Sequence, residues 1–363
     1  MSRKINFNAG PAGLPLPVLE QAQSEFVDYH GTGMSIVEHS HRGKAYEAAH
    51  TEALALFSEL LGLPATHAVL ALQGGASLQF AMLPLNFLPA GRSADYVVTG
   101  HWAKIAFSEA GKVGTVRKAA DSVETDKRYL RLPKAEELSL EPKAAYVHMT
   151  SNNTIYGTQW KSLPDTKGVP LVSDMSSDIL SRPIDAARHH MIYAGAQKNL
   201  GPAGLTVVAI NMDWLKESRT DIPDILRYQK HLDANSLYHT PPSFSVYLFG
   251  LNLKWIKAQG GAAGMEKRNK AKSELLYSTL DRLSGFYKAP VEKASRSWMN
   301  VVFQTPTPAL DDAFCAEAEK AGMTGLKGHR SAGGIRASLY NAVSPEDVKT
   351  LTSFMEDFAK RNG

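Results

Sequence analysis

Short runs of apolar residues alternate with helical patterns through the middle of the chain. Between residues 64 and 210, each apolar run ends at a Gly, Ser or Asn turn, and a helical period usually follows. Near-continuous apolar strands alternating with helices are typical of a mostly parallel sheet that is covered on both faces. The predicted strands are HAVLALQGG, ADYVVTG, AAYVHMTSNN, VPLVSDMSS, HMIYAGAQ and GLTVVAINM, with the helices ASLQFAMLPLNFL and HWAKIAFSEAG after the first two.

The pattern changes after residue 259. The segment GGAAG at 260–264 predicts a flexible break, because consecutive glycines punctuate regular structure. The predicted elements beyond it are the helix MEKRNKAKSELLYSTLDRLSG, the strand WMNVVFQT, and the helices ALDDAFCAEAEKAG and SPEDVKTLTSFMEDFAKRN. Ser344 is a suitable N-cap for the last helix, with Pro345 at its first position. We therefore expect an α/β fold with a boundary near residue 259.

Composition limits the classes of protein that fit this pattern. The 363 residues are 44% hydrophobic and 21% charged, which is enough for a sizeable core and does not indicate disorder. The net charge is +4, and the sequence contains no run of five or six Lys or Arg residues, so it gives little indication of nucleic-acid binding. A mildly basic protein is better suited to small anionic substrates.

Cysteine content and hydropathy indicate the compartment. The single cysteine, Cys315, excludes an internal disulfide framework and favours a reducing, cytoplasmic location. The first ten residues contain no apolar signal region, and no window approaches eighteen uninterrupted apolar residues. We expect no secretory signal, no membrane span and no metal centre.

Candidate ligand-binding residues follow the predicted strands, where ligands bind in open α/β sheets. Gly74 and Gly75 precede a helix that opens with Ala76 and Ser77, whose free N–H groups suit a phosphate. The alternative is an ordinary glycine turn with a serine cap. Trp102 starts the next helix, where it either covers a planar ligand or simply packs against the sheet.

An aspartate and a lysine complete the set. Asp174 ends a strongly apolar run, so its carboxylate either pairs with a strong donor or caps the next element. Lys198 follows another strand 24 residues later, where desolvation would make it a nucleophile, although most lysines are surface residues. A phosphate cup, an aromatic cover, an acid and a nucleophilic lysine are what pyridoxal 5′-phosphate requires.

Two basic clusters lie far apart in the sequence. EHSHRG contains His41 and Arg42, and LKGHRSAGGIR contains His329, Arg330 and Arg336. Arginine binds carboxylates and phosphates with two parallel hydrogen bonds, and imidazoles add donors. Each cluster alone also fits a solvated surface, and only folding could bring the two together.

Five segments closely resemble the phosphoserine aminotransferase family. They are NFNAGPAGLP, GMSIVEHSHRG, QGGAS, VSDMSSDILSRP and YAGAQKNLGPAG, and the resemblance extends to GGIRASLYNA near the C-terminus. It implies a fold-type-I, class-V aminotransferase with pyridoxal 5′-phosphate and a homodimer that shares its active sites. It also implies a large cofactor-binding domain (16–259), with its mostly parallel sheet flanked by helices, and a smaller α+β C-terminal domain (1–15 and 260–363).

The resemblance assigns the cofactor contacts residue by residue. It implies that Lys198 forms the Schiff base, that Asp174 pairs with the pyridinium nitrogen and that Trp102 stacks on the ring. The other implied contacts are Thr154 near the phenolic oxygen, Ala76, Ser77 and Gln197 at the phosphate, and His239 and Thr240 at the phosphate of the neighbouring subunit. His239 is a departure, because family members more often have Asn there.

The resemblance also implies the substrates. Arg336 would bind the α-carboxylate, and His41, Arg42 and His329, with Arg330 adjacent, would bind either a phosphate or the γ-carboxylate of glutamate. The implied ping-pong reaction converts 3-phosphohydroxypyruvate and L-glutamate to O-phospho-L-serine and 2-oxoglutarate in serine biosynthesis. Action on 4-phosphohydroxy-L-threonine in pyridoxine synthesis stays open.

Three other functions are less consistent with these residues. Serine or alanine:glyoxylate aminotransferases need no phosphate pocket, so the basic clusters argue against them. A cysteine desulfurase needs a mobile cysteine, whereas Cys315 lies at helical spacing with Phe314. A non-catalytic module with this fold would not need Lys198 and Asp174.

Overall fold

The predicted alternation of strands and helices is present in the computed structural model, which describes residues 3–124 and 126–363. The strands are β1 (Ile5–Asn6), β2 (His67–Leu72), β3 (Ser93–Val98), β4 (Thr115–Asp121), β5 (Val147–Thr150), β6 (Asn152–Asn153), β7 (Thr158–Gln159), β8 (Leu171–Asp174), β9 (Met191–Gly195), β10 (Thr206–Asn211), β11 (Asn300–Phe303), β12 (Met323–Thr324) and β13 (Ile335–Ser338). The α-helices are α1 (Leu16–Glu25), α2 (Lys44–Leu61), α3 (Gly75–Phe87), α4 (His101–Ala110), α5 (Met212–Leu215), α6 (Tyr228–Asp233), α7 (Ser243–Ala258), α8 (Gly261–Arg282), α9 (Pro308–Lys320) and α10 (Pro345–Asn362).

A central sheet of seven strands organises the described residues. Its order is β2-β10-β9-β8-β5-β3-β4. Strand β10 runs antiparallel to both of its neighbours, and the other strand pairs are parallel. The prediction of a mostly parallel sheet is therefore confirmed, with one reversed strand that the pattern did not indicate.

Side chains of successive strand residues enter cores on opposite faces of this sheet. Val207 packs with α1, α2 and α7 on one face, whereas Val208 packs with α3 and α4 on the other. The same alternation separates Ile192 from Tyr193 in the neighbouring strand. Because both faces are covered by helices, these strands have few polar positions, which is why they read as continuous apolar runs.

The edge strand β4 was not predicted. It carries Arg117, Lys118 and Asp121, and its burial pattern is largely exposed or half-buried. Charged residues on an edge strand discourage pairing with a second chain, but they also remove the apolar run by which a strand is recognised in sequence.

The C-terminal part forms a third core around Phe303, Phe314 and Phe358, which Phe7 joins from the N-terminal segment. The predicted cap of the last helix is confirmed, since the Ser344 hydroxyl accepts from the N–H of Asp347 at 3.0 Å.

The expected flexible break at 260–264 is wrong. Helix α8 begins at Gly261, shortly after α7 ends. The chain turns between the two helices at Gly260 and Gly261, which both have positive φ angles. A Cβ on Gly264 would lie 1.9 Å from the carbonyl oxygen of Gln259, so the small residues permit a tight reversal between two helices.

The division of the chain near residue 259 stays a prediction. Helix α8 contributes Met265 to the core of the sheet and Leu276 to the C-terminal core. Among the helices of residues 3–124 and 126–363, none is long and apolar enough to cross a membrane.

Candidate active site

Lys198 lies in the connection between two paired strands. Gly195 at the end of β9 is opposite Thr206 at the start of β10, and Ala196 donates to the carbonyl of Leu205 at 2.9 Å. The connection is thus closed at its base by the sheet. From the other side, Gly10 approaches so closely that a Cβ there would lie 3.2 Å from Cγ of Lys198.

The amine of Lys198 is desolvated. Its Nζ donates to the Thr154 hydroxyl at 2.9 Å and lies 5.8 Å from the ring centroid of Trp102. Burial lowers the pKa of Lys198 to about 8; Asp174 opposes this shift and Arg336 adds to it. A lysine with a pKa near physiological pH has a substantial neutral fraction, which is the nucleophilic form.

Asp174 ends β8 at the same edge of the sheet and is buried. Its Oδ1 accepts from both the N–H and the hydroxyl of Ser176, at 2.9 and 2.6 Å. Within the described residues no hydrogen bond reaches Oδ2. Burial raises the pKa of this carboxyl, and the charge of Lys198 is the largest opposing effect. A buried carboxylate with one free oxygen suits the protonated nitrogen of a pyridine ring.

Trp102 and Thr154 are held together by a close approach of two loops. Helix α4 begins after Gly100, and a Cβ on that glycine would lie 2.3 Å from Oδ1 of Asn153. Only glycine permits this contact, which brings the indole that follows β3 and the hydroxyl that follows β5 to the same lysine.

The glycine turn after β2 has the predicted form. Gly74 and Gly75 have φ angles of 87° and 65°, and α3 begins at Gly75, so Ala76 and Ser77 lie in its first turn. The first N–H groups of a helix have no partners within the helix, so this turn can bind a phosphate. Gln197 is half-buried, and its backbone carbonyl accepts from the N–H of Ala12 at 2.8 Å.

The segment with His239 and Thr240 lies against this glycine turn in the same chain. The side chain of Gln73 donates to the carbonyl of Thr240 at 3.1 Å, and Thr240 is exposed. The ring of His239 lies 5.7 Å from that of His231. The predicted reach of this segment to a neighbouring subunit stays a prediction.

One member of the second basic cluster, Arg336, lies near the lysine. Arg336 is half-buried and donates to the carbonyl of Thr154 at 3.2 Å, so Thr154 contacts both Lys198 and Arg336. The pKa of His329 is lowered, most strongly by burial and next by the charge of Arg336. His101 and Arg330 lower it further. Arg330 is exposed beside it.

The other basic cluster is not brought to this lysine within one chain. His41 and Arg42 lie in the turn before α2, and Arg42 is exposed, with its N–H donating to the Ser40 hydroxyl at 3.3 Å. In the part of the chain that the structure describes, no hydrogen bond, ion pair or ring contact joins either residue to Lys198. The expectation that folding unites the two clusters therefore has no support within a single chain.

A buried carboxylate behind the site was missed by sequence reasoning. Asp178 accepts from the Ser151 hydroxyl and from the side-chain amide of Gln159 at 3.1 Å, with Arg182 at 3.6 Å. The side-chain oxygen Oε1 of Gln159 accepts from the backbone N–H of Trp298 at 3.0 Å. This network ties the sheet edge near Asp174 to the C-terminal part. Ser151, Asp178 and Arg182 lie in turns or bends and Gln159 lies in the two-residue strand β7, so no local signal identified them.

His101 was also missed. It is the first residue of α4, and its ring centroid lies 5.8 Å from that of His329 and 5.3 Å from that of Trp102. The only signal in the sequence was its position directly before the candidate tryptophan.

Comparison with known proteins gives consistent matches over the whole chain. The family model described as Aminotransferase class-V matches residues 5–351. A phosphoserine aminotransferase of Herpetosiphon aurantiacus is 53% identical over 358 residues, covering 99% of each chain. The solved structure of phosphoserine aminotransferase from Bacillus circulans subsp. alkalophilus has a TM-score of 0.97 and 52% identity, covering 99% of each chain. The PLP-bound phosphoserine aminotransferase of Trichomonas vaginalis has a TM-score of 0.93 and 36% identity, covering 98% of this chain and 100% of that one.

Proposed function

The chain belongs to the class-V aminotransferase family, and from this premise we propose that it transfers the amino group of L-glutamate to 3-phosphohydroxypyruvate. The products are O-phospho-L-serine and 2-oxoglutarate, a step of serine biosynthesis. The observation that carries the proposal is the contact of Thr154 with both Lys198 and Arg336. It places a desolvated amine beside a guanidinium suited to a carboxylate.

The residues present fit pyridoxal 5′-phosphate. Oδ2 of Asp174 is available for a ring N–H, Trp102 faces the lysine, and the first turn of α3 offers free N–H groups at the same sheet edge. The cofactor, when bound, supplies a carbonyl that reacts with amines and a ring that withdraws electrons from the substrate's α-carbon. The phosphate contacts are assigned to Ala76, Ser77, Gln197, His239 and Thr240.

Lys198 holds and moves the proton. Its lowered pKa allows the free amine to accept the proton of the substrate's α-carbon and to return it on the opposite half-reaction. The Thr154 hydroxyl orients the amine through their hydrogen bond. The backbone carbonyl of Thr154 accepts from Arg336 and so positions this guanidinium to bind the α-carboxylate. Ping-pong kinetics follow, because the enzyme keeps the amino group of the first substrate while the keto product leaves and the second substrate enters.

The second anionic group of each substrate is assigned to His329, Arg330, His41 and Arg42. A homodimer supplies the last two from the partner. This proposal is supported by exposed apolar side chains just before them in the sequence, which a second copy would cover. These side chains are Leu16, Leu19, Phe26, Val27, Met34 and Val37.

Complementation tests the shared site. Arg42→Ala and Lys198→Ala each remove turnover from a homodimer. If Arg42 acts on the partner's site, a hybrid of the two variants contains one intact site. An equal mixture that is unfolded and refolded together then regains about a quarter of wild-type activity, since half of the dimers are hybrids with one working site. If Arg42 acts within its own chain, mixing restores nothing.

The substrate is tested by steady-state assay with 2-oxoglutarate as acceptor. Phosphoserine, serine and alanine are compared as donors, and we expect phosphoserine to have by far the highest kcat/KM. Equal or higher values for serine or alanine would contradict the proposal and favour a glyoxylate-type aminotransferase. Burial raises the pKa of Cys315 to about 11, which does not suit the nucleophile of a desulfurase.

We also propose a cytoplasmic location, which is supported by the single cysteine and the resulting lack of disulfides.

A further inference from the structure

His101 has an unusual position for a residue with no assigned role. It is half-buried at the first position of α4, between the indole of Trp102 and the imidazole of His329. In the described part of the chain, neither of its ring nitrogens has a hydrogen-bond partner, and neither is sealed from solvent. The ring can therefore bind a ligand that lies beside Trp102 and His329.

The charge around His101 is positive and uncompensated. Burial lowers the pKa of His101, and the cations of Lys104 and Arg330 lower it further. Arg336 and Arg330 act in the same direction on His329. Within the described residues, no carboxylate forms an ion pair with His101, Lys104, His329 or Arg330, so the cluster has no internal counter-ion. An anion with more than one charge would relieve the repulsion.

We infer that His101 determines specificity by donating a hydrogen bond to the phosphate of the phosphorylated substrate, and that it contributes little to binding the γ-carboxylate of glutamate. This inference rests on the proposed function, because it names the group that distinguishes the two substrates of one pocket.

The two anions differ in charge and in number of acceptors. A phosphate monoester carries a charge of about −1.5 to −2 at pH 7 and has three acceptor oxygens, whereas a carboxylate has one charge and two oxygens. The carboxylate is satisfied by one bidentate arginine. The third phosphate oxygen needs another donor, and the greater charge favours the protonated form of a nearby imidazole.

The neighbouring histidine is already oriented. Nδ1 of His329 accepts from the N–H of Ser331 at 3.2 Å and contacts the Ser331 hydroxyl at 2.7 Å. This leaves Nε2 of His329 as the donor in the neutral ring. His101 has no such internal partner, so its donor is available to the additional oxygen.

The test compares His101→Ala with Lys104→Ala in the cofactor-loaded enzyme. Lys104 is exposed on the same helix, so its loss removes one nearby charge without removing the ring. We expect His101→Ala to raise KM for phosphoserine about tenfold, as for a hydrogen bond to a charged group, with a much smaller change in kcat. KM for glutamate should change less than about twofold. Lys104→Ala should change the ratio of the two KM values little.

A binding measurement separates recognition from turnover. By calorimetry, the dissociation constant of inorganic phosphate should rise about tenfold in His101→Ala, and that of glutarate, which carries two carboxylates, should not. His101→Gln, which keeps an N–H donor, should recover part of the phosphate affinity. A purely structural role would instead weaken both ligands in parallel.

The outcomes distinguish this inference from the proposed function. A wild-type enzyme that converts phosphoserine, with His101→Ala unchanged in phosphoserine KM and phosphate affinity, overturns the inference alone. Equal losses for both substrates also overturn it. A wild-type enzyme without phosphoserine turnover overturns the proposed function and this inference with it.

Discussion

Replacing Lys198 by Met should stabilise the cofactor-free protein at neutral pH. The wild-type fold holds this amine in a site where burial lowers its pKa from 10.5 to about 8. A shift of that size corresponds to roughly 3 kcal/mol of destabilisation when the amine is charged in both the folded and the unfolded chain. Met has a similar length and no charge to desolvate.

The pH dependence of this gain follows from proton binding. Between pH 8 and 10.5 the unfolded chain keeps the lysine proton and the folded chain does not, so wild-type stability rises with pH across this window. Below pH 8 the wild type carries the full cost. Losing the hydrogen bond to Thr154 subtracts about 1 kcal/mol, which leaves a net gain of about 2 kcal/mol at pH 7.

The assay is thermal unfolding of both cofactor-free proteins at pH 7 and at pH 10. At pH 7 we expect Lys198→Met to melt about 2 to 5 °C higher than wild type. At pH 10 the advantage should largely disappear. A variant that melts lower at pH 7, by an amount that does not change with pH, would refute the idea that Lys198 is strained by desolvation.

The same substitution at a second buried lysine gives a matched contrast. Nζ of Lys272 donates to the carbonyls of Leu339, Tyr340 and Val343 at 2.8 to 3.0 Å. Burial also lowers the pKa of Lys272, which by itself would favour Met. Met at this position, however, leaves three buried acceptors without their donor, so Lys272→Met should destabilise the protein by about 3 kcal/mol or more. Opposite signs at two buried lysines would separate a functional site from a structural one.

Three further predictions concern groups around the site. Gly100→Ala should lower kcat/KM roughly a hundredfold in steady-state assays, because the new Cβ forces Asn153 to move and displaces both loops by about an ångström; an unchanged value would show that the contact is not needed. Asp174→Ala should lower turnover roughly a hundredfold and weaken cofactor retention measured by absorbance after dialysis, whereas full retention would contradict its role at the ring nitrogen. Gln159→Leu should lower the free energy of unfolding by about 2 to 4 kcal/mol, because the buried Asp178 carboxylate loses a donor; unfolding by urea would test this.

Positions that depend on local pattern could be predicted from the sequence. The strand with Tyr193 is recognisable because residues on both of its faces are buried, and Lys198 is recognisable because it follows that strand's end. Asp174 is recognisable for the same reason, because it ends strand β8. Strand β4 was missed because Arg117 and Lys118 interrupt its apolar character at the edge of the sheet.

Features that depend on long-range contacts could not be predicted this way. Thr154 and Arg336 meet across 182 positions of sequence, and no local pattern encodes that contact. In the sequence, His101 is one more residue at a helix start. Its proximity to the ring of His329 is evident only in the structure. Arg42 lies in a conspicuous basic motif, but no hydrogen bond or ion pair among the described residues of one chain joins it to Lys198.

The reversed strand β10 has a consequence for engineering. Strands β9 and β10 pair antiparallel from Gly195 and Thr206. The pairing therefore fixes the positions of both ends of the loop that carries Lys198. Slipping either strand by one residue would turn every side chain of that strand to the opposite face. Randomised libraries should therefore vary loop residues at constant length, and insertions should be placed at exposed turns such as the one that contains Gly168.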